Sequence, residues 1–452
     1  MTPRMIAHTT PTEDAADGQT PGARPVIEAF LAGLVLIGVA LAAWRLYRDG
    51  YLPQPFYYKP AQTLIDGYST AFWANHAGAY DSWRTLYPPL SFVLLKAFST
   101  PACYRLDAIS GRSCDPAPAM MLVGFFALNA ALVYQTYRRA DPRTALARAV
   151  AMALGLPMLY ALERGNLLIP CFTAFILGYG DLLKQPWLRA VALAASINFK
   201  PYLLFSLIPF IQRRAWVWVL ICGLAGLLIY LATYLIFQSG TPLQIWTNDA
   251  RYGASPSQDH FADLYYATSY WPLIRSLKAG ILSPAWLPAA MAGSLALALT
   301  IVLRVTQAAA CLLLIGGMFR PKAVDVRRFG AMAAAVSLTA FTTGSAGYAS
   351  IFFLFLVFFE PWRGPVRVMI LVFAYLLCVP VDHIVLPLIH GPVESYLSGR
   401  TVAVEFGVSV GQLVRPAMML AMLVGLIILN ATDLVDGSPG GVGMAPIETA
   451  GP

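Results

Sequence analysis

The run "WVWVLICGLAGLLIYLATYLIF", residues 216–237, contains no charged side chain, and comparable runs recur along the whole chain. A stretch of about 20 apolar residues is long enough to cross bilayer hydrocarbon. Because hydrocarbon cannot hydrogen-bond to an exposed backbone, such a stretch must close its own amides as a helix. The chain has 452 residues, of which 58% are hydrophobic and only 12% charged. Its mean hydropathy is +0.63. The alternating pattern of a membrane barrel is absent, so the expected fold is an all-α integral membrane protein.

Apolar runs separated by basic turns place candidate spans near 26–45, 117–137, 144–162, 166–183, 187–199, 201–212, 215–237, 287–318, 329–344, 348–361, 366–381 and 409–430. Several are short, so the expected number is about 10 to 13 transmembrane helices. Residues 1–25 and 431–452 lack a periodic apolar face and read as disordered tails around a polytopic domain at 26–430. Val26 to Trp44 reads as a retained anchor rather than a cleaved signal.

The formal charge of +8 admits a nucleic-acid or anionic partner, but its distribution argues otherwise. Arg138, Arg139, Arg143 and Arg148, and again Arg320, Lys322, Arg327 and Arg328, collect in short turns. Such clusters set topology by the positive-inside rule. Both termini are then cytoplasmic in a multi-pass protein of the inner (plasma) membrane. The long loops at 46–116, 238–286 and 382–408 face outward. No nucleic acid is expected as a partner, and no internal repeat marks a secondary transporter.

The first outward loop holds "TLIDGYSTAFWANHAGAYDSWRTLYPPLSF", residues 63–92, with Asp66 and Asp81 among Tyr68, Phe72, Trp73, Tyr80, Trp83 and Tyr87. Residues 63–73 read as a short helix. Pro88 and Pro89 break the chain, and Pro89 opens "PLSFVLLKAF", a segment suited to the interface. An interfacial aromatic belt with solvated carboxylates explains this composition equally well.

"LERGNLLIP" sets Glu163, Arg164 and Asn166 in a tight outward turn between apolar helices. Charges at such a depth are costly and usually paired or functional; helix capping by Asn166 is the competing account. In "SINFKPYLLF", Lys200 precedes Pro201 between two short apolar runs, where it either snorkels or holds a phosphate as a compact cation. Weaker candidates are Asp249, Arg251, Asp259, His260 and Asp263 in the second outward loop, Tyr348 after "TTGSAG", Asp382 with His383, and Arg304 inside a long apolar run.

Cys171, Cys222, Cys311 and Cys378 lie in apolar runs and read as packing residues, whereas Cys103 and Cys114 share one polar loop. No metal site is expected, since no Cys-x-x-Cys or His-Glu-x-x-His occurs, and no glycine-rich phosphate loop is present. ATP-driven pumps, Rossmann-type nucleotide-sugar enzymes and zinc proteases do not fit.

An outward Asp66, the "YPPL" turn, the Gly165 and Asn166 turn, and the Lys200 and Pro201 pair together resemble the polytopic C-type glycosyltransferases (GT-C fold). Within them they are most similar to glycosyltransferase family 87, the polyprenyl-phosphate-mannose-dependent mannosyltransferases. The resemblance spans residues 26–430 in layout through short motifs. It implies that Asp66 is the general base, with Asp81 as the alternative because Gly67 separates Asp66 from the expected aromatic.

It also implies inverting transfer of a sugar, with mannose expected, from a polyprenyl-phosphate donor to a glycolipid or polysaccharide acceptor. Lys200 and Arg164, with Arg304 behind them, would hold the phosphate. Asn166, Tyr80, Tyr87, Trp73, Trp83, His260 and Tyr348 complete the expected substrate-binding set. Such transfer needs one carboxylate to take the acceptor proton and cations for the departing phosphate. Beyond the lipid-linked substrate it calls for no cofactor or metal. The rival readings are a lipid-linked glycan polymerase or flippase and, behind them, a solute transporter.

The shared loop of Cys103 and Cys114 predicts a disulfide in an oxidising compartment. Thiol labelling of native, unreduced membranes is expected to leave both unmodified until a reductant is added; labelling of both without reductant contradicts the bridge.

Overall fold

The computed structural model describes residues 23–254, 266–278, 288–340 and 347–437. The first long helix, α1 (Ala23–Asp49), leads to a layer of short elements. These are a 3-10 turn at Pro60–Gln62, α2 (Ile65–Ala74), α3 (Pro89–Ala97) and α4 (Ala108–Cys114). The bundle resumes with α5 (Ala117–Ala140), followed by α6 (Ala145–Ala153) and α7 (Leu156–Arg164), two halves of one apolar stretch. Next come α8 (Leu168–Tyr179), α9 (Pro186–Phe199), a 3-10 run at Pro201–Leu207, α10 (Ile208–Gln212) and α11 (Trp216–Phe237).

Two short helices, α12 (Pro242–Ala254) and α13 (Trp271–Lys278), precede the long α14 (Ala289–Gly317). The chain continues through α15 (Val326–Ala340), α16 (Ser350–Val357) and α17 (Gly364–Leu377). It then forms an antiparallel hairpin of β1 (Ile384–Glu394) and β2 (Thr401–Ser409), and ends in α18 (Val410–Asp436).

Six helical stretches among the described residues are long and apolar enough to cross a membrane, which makes this a mostly helical, multi-pass membrane protein. The remaining apolar helices are too short to cross alone: α8 has 12 residues and α16 has 8, about 18 and 12 Å at helical rise. Nearly every residue of both is buried, because other helices surround them. A helix that is apolar all round is equally a bilayer span or the centre of a bundle. Whether such helices are counted as spans separates the expected 10 to 13 from the six that are long enough to cross alone among the described residues.

Two further expectations change. Residues 382–408 are not a plain loop, and the fold is not purely α-helical. The β1–β2 hairpin pairs Ile384 with Ser409 and Glu394 with Thr401. It seats Val404 against Tyr51 and Tyr58. Gln54 ties it down by donating to the Gly407 carbonyl (3.0 Å) and accepting from the Gly407 amide (3.1 Å). Pro387, Gly391 and Pro392 in β1 disguise it as a loop, since these residues ordinarily argue against a strand interior. The last helix also runs to Asp436, past the expected domain boundary at 430.

Packing centres on rings contributed by α8 and α16: Phe172 and Phe175 meet Phe352 and Phe355 edge to face. Cys171, Cys222 and Cys378 are buried there as expected of packing residues, but Cys311 is exposed on α14.

At the end of the bundle formed by the start of α1 and the α16–α17 turn, charges are buried in pairs. Glu28, fully buried, accepts from Arg148 Nε (2.9 Å) and Nη2 (2.7 Å), from the Tyr375 hydroxyl (2.6 Å) and from the Trp362 indole. Nearby, Arg328 bridges Glu360 (2.8 Å) and Asp433, and Arg189 (2.6 Å) and Arg327 both meet Asp181. Arg148, Arg327 and Arg328 are therefore internal ties rather than free topology charges, each neutralised by a carboxylate on another element.

Removing one partner of a buried pair strands the other charge. Arg148→Ala is expected to destabilise the protein by about 3–5 kcal/mol, seen as a lowered unfolding midpoint in detergent. An unchanged midpoint would show that Glu28 does not depend on Arg148.

Candidate functional site at the α2–α7 junction

The site begins with a close approach of two backbones. Helix α7 ends at Gly165, whose φ of +67° lies in the left-handed region that favours glycine. Leu64, just before α2, also has positive φ (+64°) and donates its amide to the Glu163 carbonyl (2.7 Å). A β-carbon on Gly67 would lie 2.6 Å from the Gly165 carbonyl oxygen. Only a residue without one lets the first turn of α2 settle on this turn. The glycine that separates Asp66 from the expected aromatic therefore permits the contact that places Asp66.

Surrounding bonds hold α2 in this position. Arg112 donates to the carbonyls of Ala61 (2.9 Å) and Thr63 (2.5 Å), and the Tyr68 hydroxyl donates to the Asp115 carbonyl (2.7 Å). The Asp115 carboxylate accepts from the amides of Thr100 (2.7 Å) and Ala117 (3.2 Å). Cys103 and Cys114 are joined by a disulfide with 5.5 Å between their Cα atoms, tying the Pro101–Tyr104 turn to α4.

On this scaffold, Arg164 donates to Asp66 Oδ1 at 2.6 Å and Asn166 to Asp66 Oδ2 at 3.1 Å. The Asn166 amide nitrogen also lies 3.0 Å from the Tyr348 hydroxyl and 3.3 Å from that of Tyr87. Its oxygen caps α8 by accepting from the Leu168 amide (3.0 Å). Asn166 thus caps α8 and holds Asp66 at once. Arg164 stacks over the Tyr57 ring (4.3 Å), and Lys200 Nζ stands 4.4 Å from the centre of the Tyr87 ring.

The Asp66 side chain remains 24% exposed against 12% for Arg164. Glu163 and Arg164, adjacent in sequence, part as helix neighbours must. Arg164 goes to Asp66, while buried Glu163 accepts from Thr63 (3.4 Å).

The structure thus gathers Asp66, Arg164, Asn166, Tyr87, Lys200 and Tyr348, and leaves Tyr80, Asp81, Trp73, Trp83 and Arg304 elsewhere. Tyr80 is a core residue, 2% exposed, whose hydroxyl donates to the Tyr87 carbonyl (2.7 Å) and whose ring meets Phe92 and Phe237. Burial raises its phenol well above the ordinary value. It shapes the loop rather than offering a face to a sugar. Asp81 is exposed and its carboxylate meets Gln244 of α12 (3.3 Å). Trp83 packs edge-on to Phe72 and His76, and Trp73 lies partly in the core.

Arg304 contacts Gln307 (3.2 Å) and the Trp271 ring (4.6 Å), not Arg164 or Lys200. His260, with Asp259 and Asp263, falls outside the described residues. Asp382 is a structural partner of Arg415 (2.9 Å) and Ser409 (2.6 Å). The sequence reading missed Tyr57, the ring beneath Arg164. Two aromatics at 57–58 next to Lys59 were the available sign.

The cluster combines a carboxylate oriented by two donors, a guanidinium, an ammonium that faces a ring, and three tyrosines. Among the described residues no group of three or more His, Cys, Asp or Glu could hold a metal ion. No protein-family model, curated protein or solved structure matches the chain.

Gly67→Ala places a methyl group against a backbone carbonyl that cannot rotate away. The variant is expected to lose about 1–3 kcal/mol of stability and to displace Asp66 from Arg164. Thermal unfolding together with a ligand-binding or turnover assay checks this, and wild-type values in both contradict the close contact.

Proposed function

We propose that this protein is a membrane-embedded, inverting glycosyltransferase of GT-C type. It moves a sugar, with mannose as the first candidate, from a polyprenyl-phosphate carrier to a glycolipid or polysaccharide acceptor. The reading sets the reaction at the extracytoplasmic face of the plasma membrane, with both termini cytoplasmic. The observation that carries it is the Asp66 carboxylate held by Arg164 and Asn166 (2.6 and 3.1 Å), with Lys200 beside Tyr87 in the same cluster.

A carboxylate oxygen accepts more than one hydrogen bond. Asp66 therefore keeps accepting capacity for an acceptor hydroxyl after Arg164 and Asn166 are satisfied. In the transfer, the acceptor oxygen forms a bond to the anomeric carbon as its proton passes to Asp66. The bond from that carbon to the phosphate oxygen breaks, and the polyprenyl phosphate leaves with the electron pair. Lys200 and Arg164 are the cations available to meet the charge that develops there, an interaction strongest where water is excluded. Tyr87 and Tyr348, each within reach of Asn166, offer aromatic faces with polar tips to a sugar ring.

The leaving group is already a stable anion, so no protonated partner of the kind used in glycoside hydrolysis is required. The separation of Asp81 from the cluster favours Asp66 as the base. A polymerase or flippase would instead handle a preassembled lipid-linked oligosaccharide and ignore a monosaccharide carrier.

Asp66→Asn in purified protein is expected to lower transfer from polyprenyl-phosphate mannose by about 10²–10⁴-fold, with folding retained. Asp81→Asn is expected to stay near wild type. Full activity of Asp66→Asn, or turnover of the oligosaccharide carrier alone by the wild type, would overturn the assignment.

A further inference from the structure

Arg304 stands near the middle of α14, on a surface otherwise made of exposed Leu297, Ile301, Val302 and Val305. A charge on such a surface is ordinarily answered by an opposite charge or a water-filled space. Arg304 has neither among its contacts: it donates to Gln307 Oε1 (3.2 Å) and lies 4.6 Å from the centre of the Trp271 ring. Both partners are neutral. Gln307 is 5% exposed, and its Nε2 has no hydrogen-bond partner. Since Arg304 occupies the amide oxygen, the two N–H groups of Gln307 are left with nothing to accept them.

The place is therefore short of acceptors. A guanidinium brings five N–H donors and a carboxamide two, and one bond between them is made. Trp271 does not relieve the shortage, because its indole nitrogen is itself a donor, committed to the Thr339 carbonyl (2.7 Å). That bond fixes the ring beside which the guanidinium lies. An arginine so presented matches the oxygens of a phosphate, which it binds through two parallel hydrogen bonds.

The surroundings narrow the ligand class. Trp271 packs, partly buried, against the cluster of Leu273, Ile274, Leu277 and Ala296. The apolar residues around Arg304 offer contact to hydrocarbon chains and nothing to a soluble anion.

We infer that Arg304, Gln307 and Trp271 form a second binding site, for the phosphate of a membrane lipid whose chains lie along α14. The site is distinct from the Asp66 cluster and does not depend on the transfer reaction proposed for it.

Native mass spectrometry of the detergent-purified full chain, titrated with dioleoyl phosphatidylglycerol, tests this. The wild type is expected to show one lipid adduct that is tight relative to the rest. Arg304→Gln is expected to weaken it about tenfold and Arg304→Lys to recover part of the loss, as for a bidentate contact. Gln307→Leu, which keeps the cation, is expected to weaken it about threefold, and supplies the test if Arg304→Gln does not fold. Asp66→Asn is expected to bind lipid as the wild type does, separating this site from the other. Unchanged lipid affinity in both Arg304→Gln and Gln307→Leu overturns the inference. So does displacement of the lipid by inorganic phosphate at equal concentration, which would make this a site for a free anion.

Discussion

The arrangement of the candidate site depends on one steric condition: the first turn of α2 must touch the end of α7. A β-carbon on Gly67 would strike the Gly165 carbonyl oxygen, and one on Gly165 would strike the backbone of Leu64 (2.7 Å). Around that contact Leu64 adopts positive φ and bonds to Glu163. Asp66 consequently projects at Arg164 and Asn166 rather than into water. Arg112, the Asp115 bonds and the bridge from Cys103 to Cys114 all act on the same segment. A short helix of ten residues would have little independent stability; here it is fixed from several directions.

Two parts of the molecule treat buried charge differently. At the α1 and α16–α17 end, each carboxylate is saturated: Glu28 has donors from Arg148, Tyr375 and Trp362, and Glu360 has Arg328 and Arg367. Low dielectric makes an unsatisfied charge expensive, and these carboxylates are each met by more than one donor. Around Asp66 the balance is looser. Lys200 faces the ring of Tyr87, and Arg164 shares itself between Asp66, the Gln62 carbonyl and the ring of Tyr57. Rings satisfy a cation partly, and a phosphate would satisfy it further.

Much of the framework was legible because bilayer-scale hydrophobicity is coarse. The segments at 117–137, 215–237 and 409–430 became α5, α11 and α18, and the proline pair opened α3 at Pro89. Burial was not legible, since a span and a bundle-centre helix such as α8 read alike. The hairpin was hidden by its own prolines and glycine. Asp66, Arg164, Asn166 and Lys200, which stand in one cluster, drew notice because polar residues are conspicuous between apolar runs. Tyr80, Trp73 and Trp83 lie apart from it; aromatic composition does not say which way a ring faces. Gly67 looked like a defect in a motif, and its role emerges only when Gly165, distant in sequence, is placed against it.

Glu28 carries a consequence for the order in which the protein can be assembled. It lies in the first span, yet its donors come from Arg148, Trp362 and Tyr375. During synthesis α1 reaches the bilayer long before the last two exist, and it holds a carboxylate that no nearby residue on the helix is shown to neutralise. Arg148 is the first tie available, and the remaining donors arrive only when α17 has been made. Helix α1 is thus among the last to be locked in place, and a later part of the bundle closes onto an earlier one.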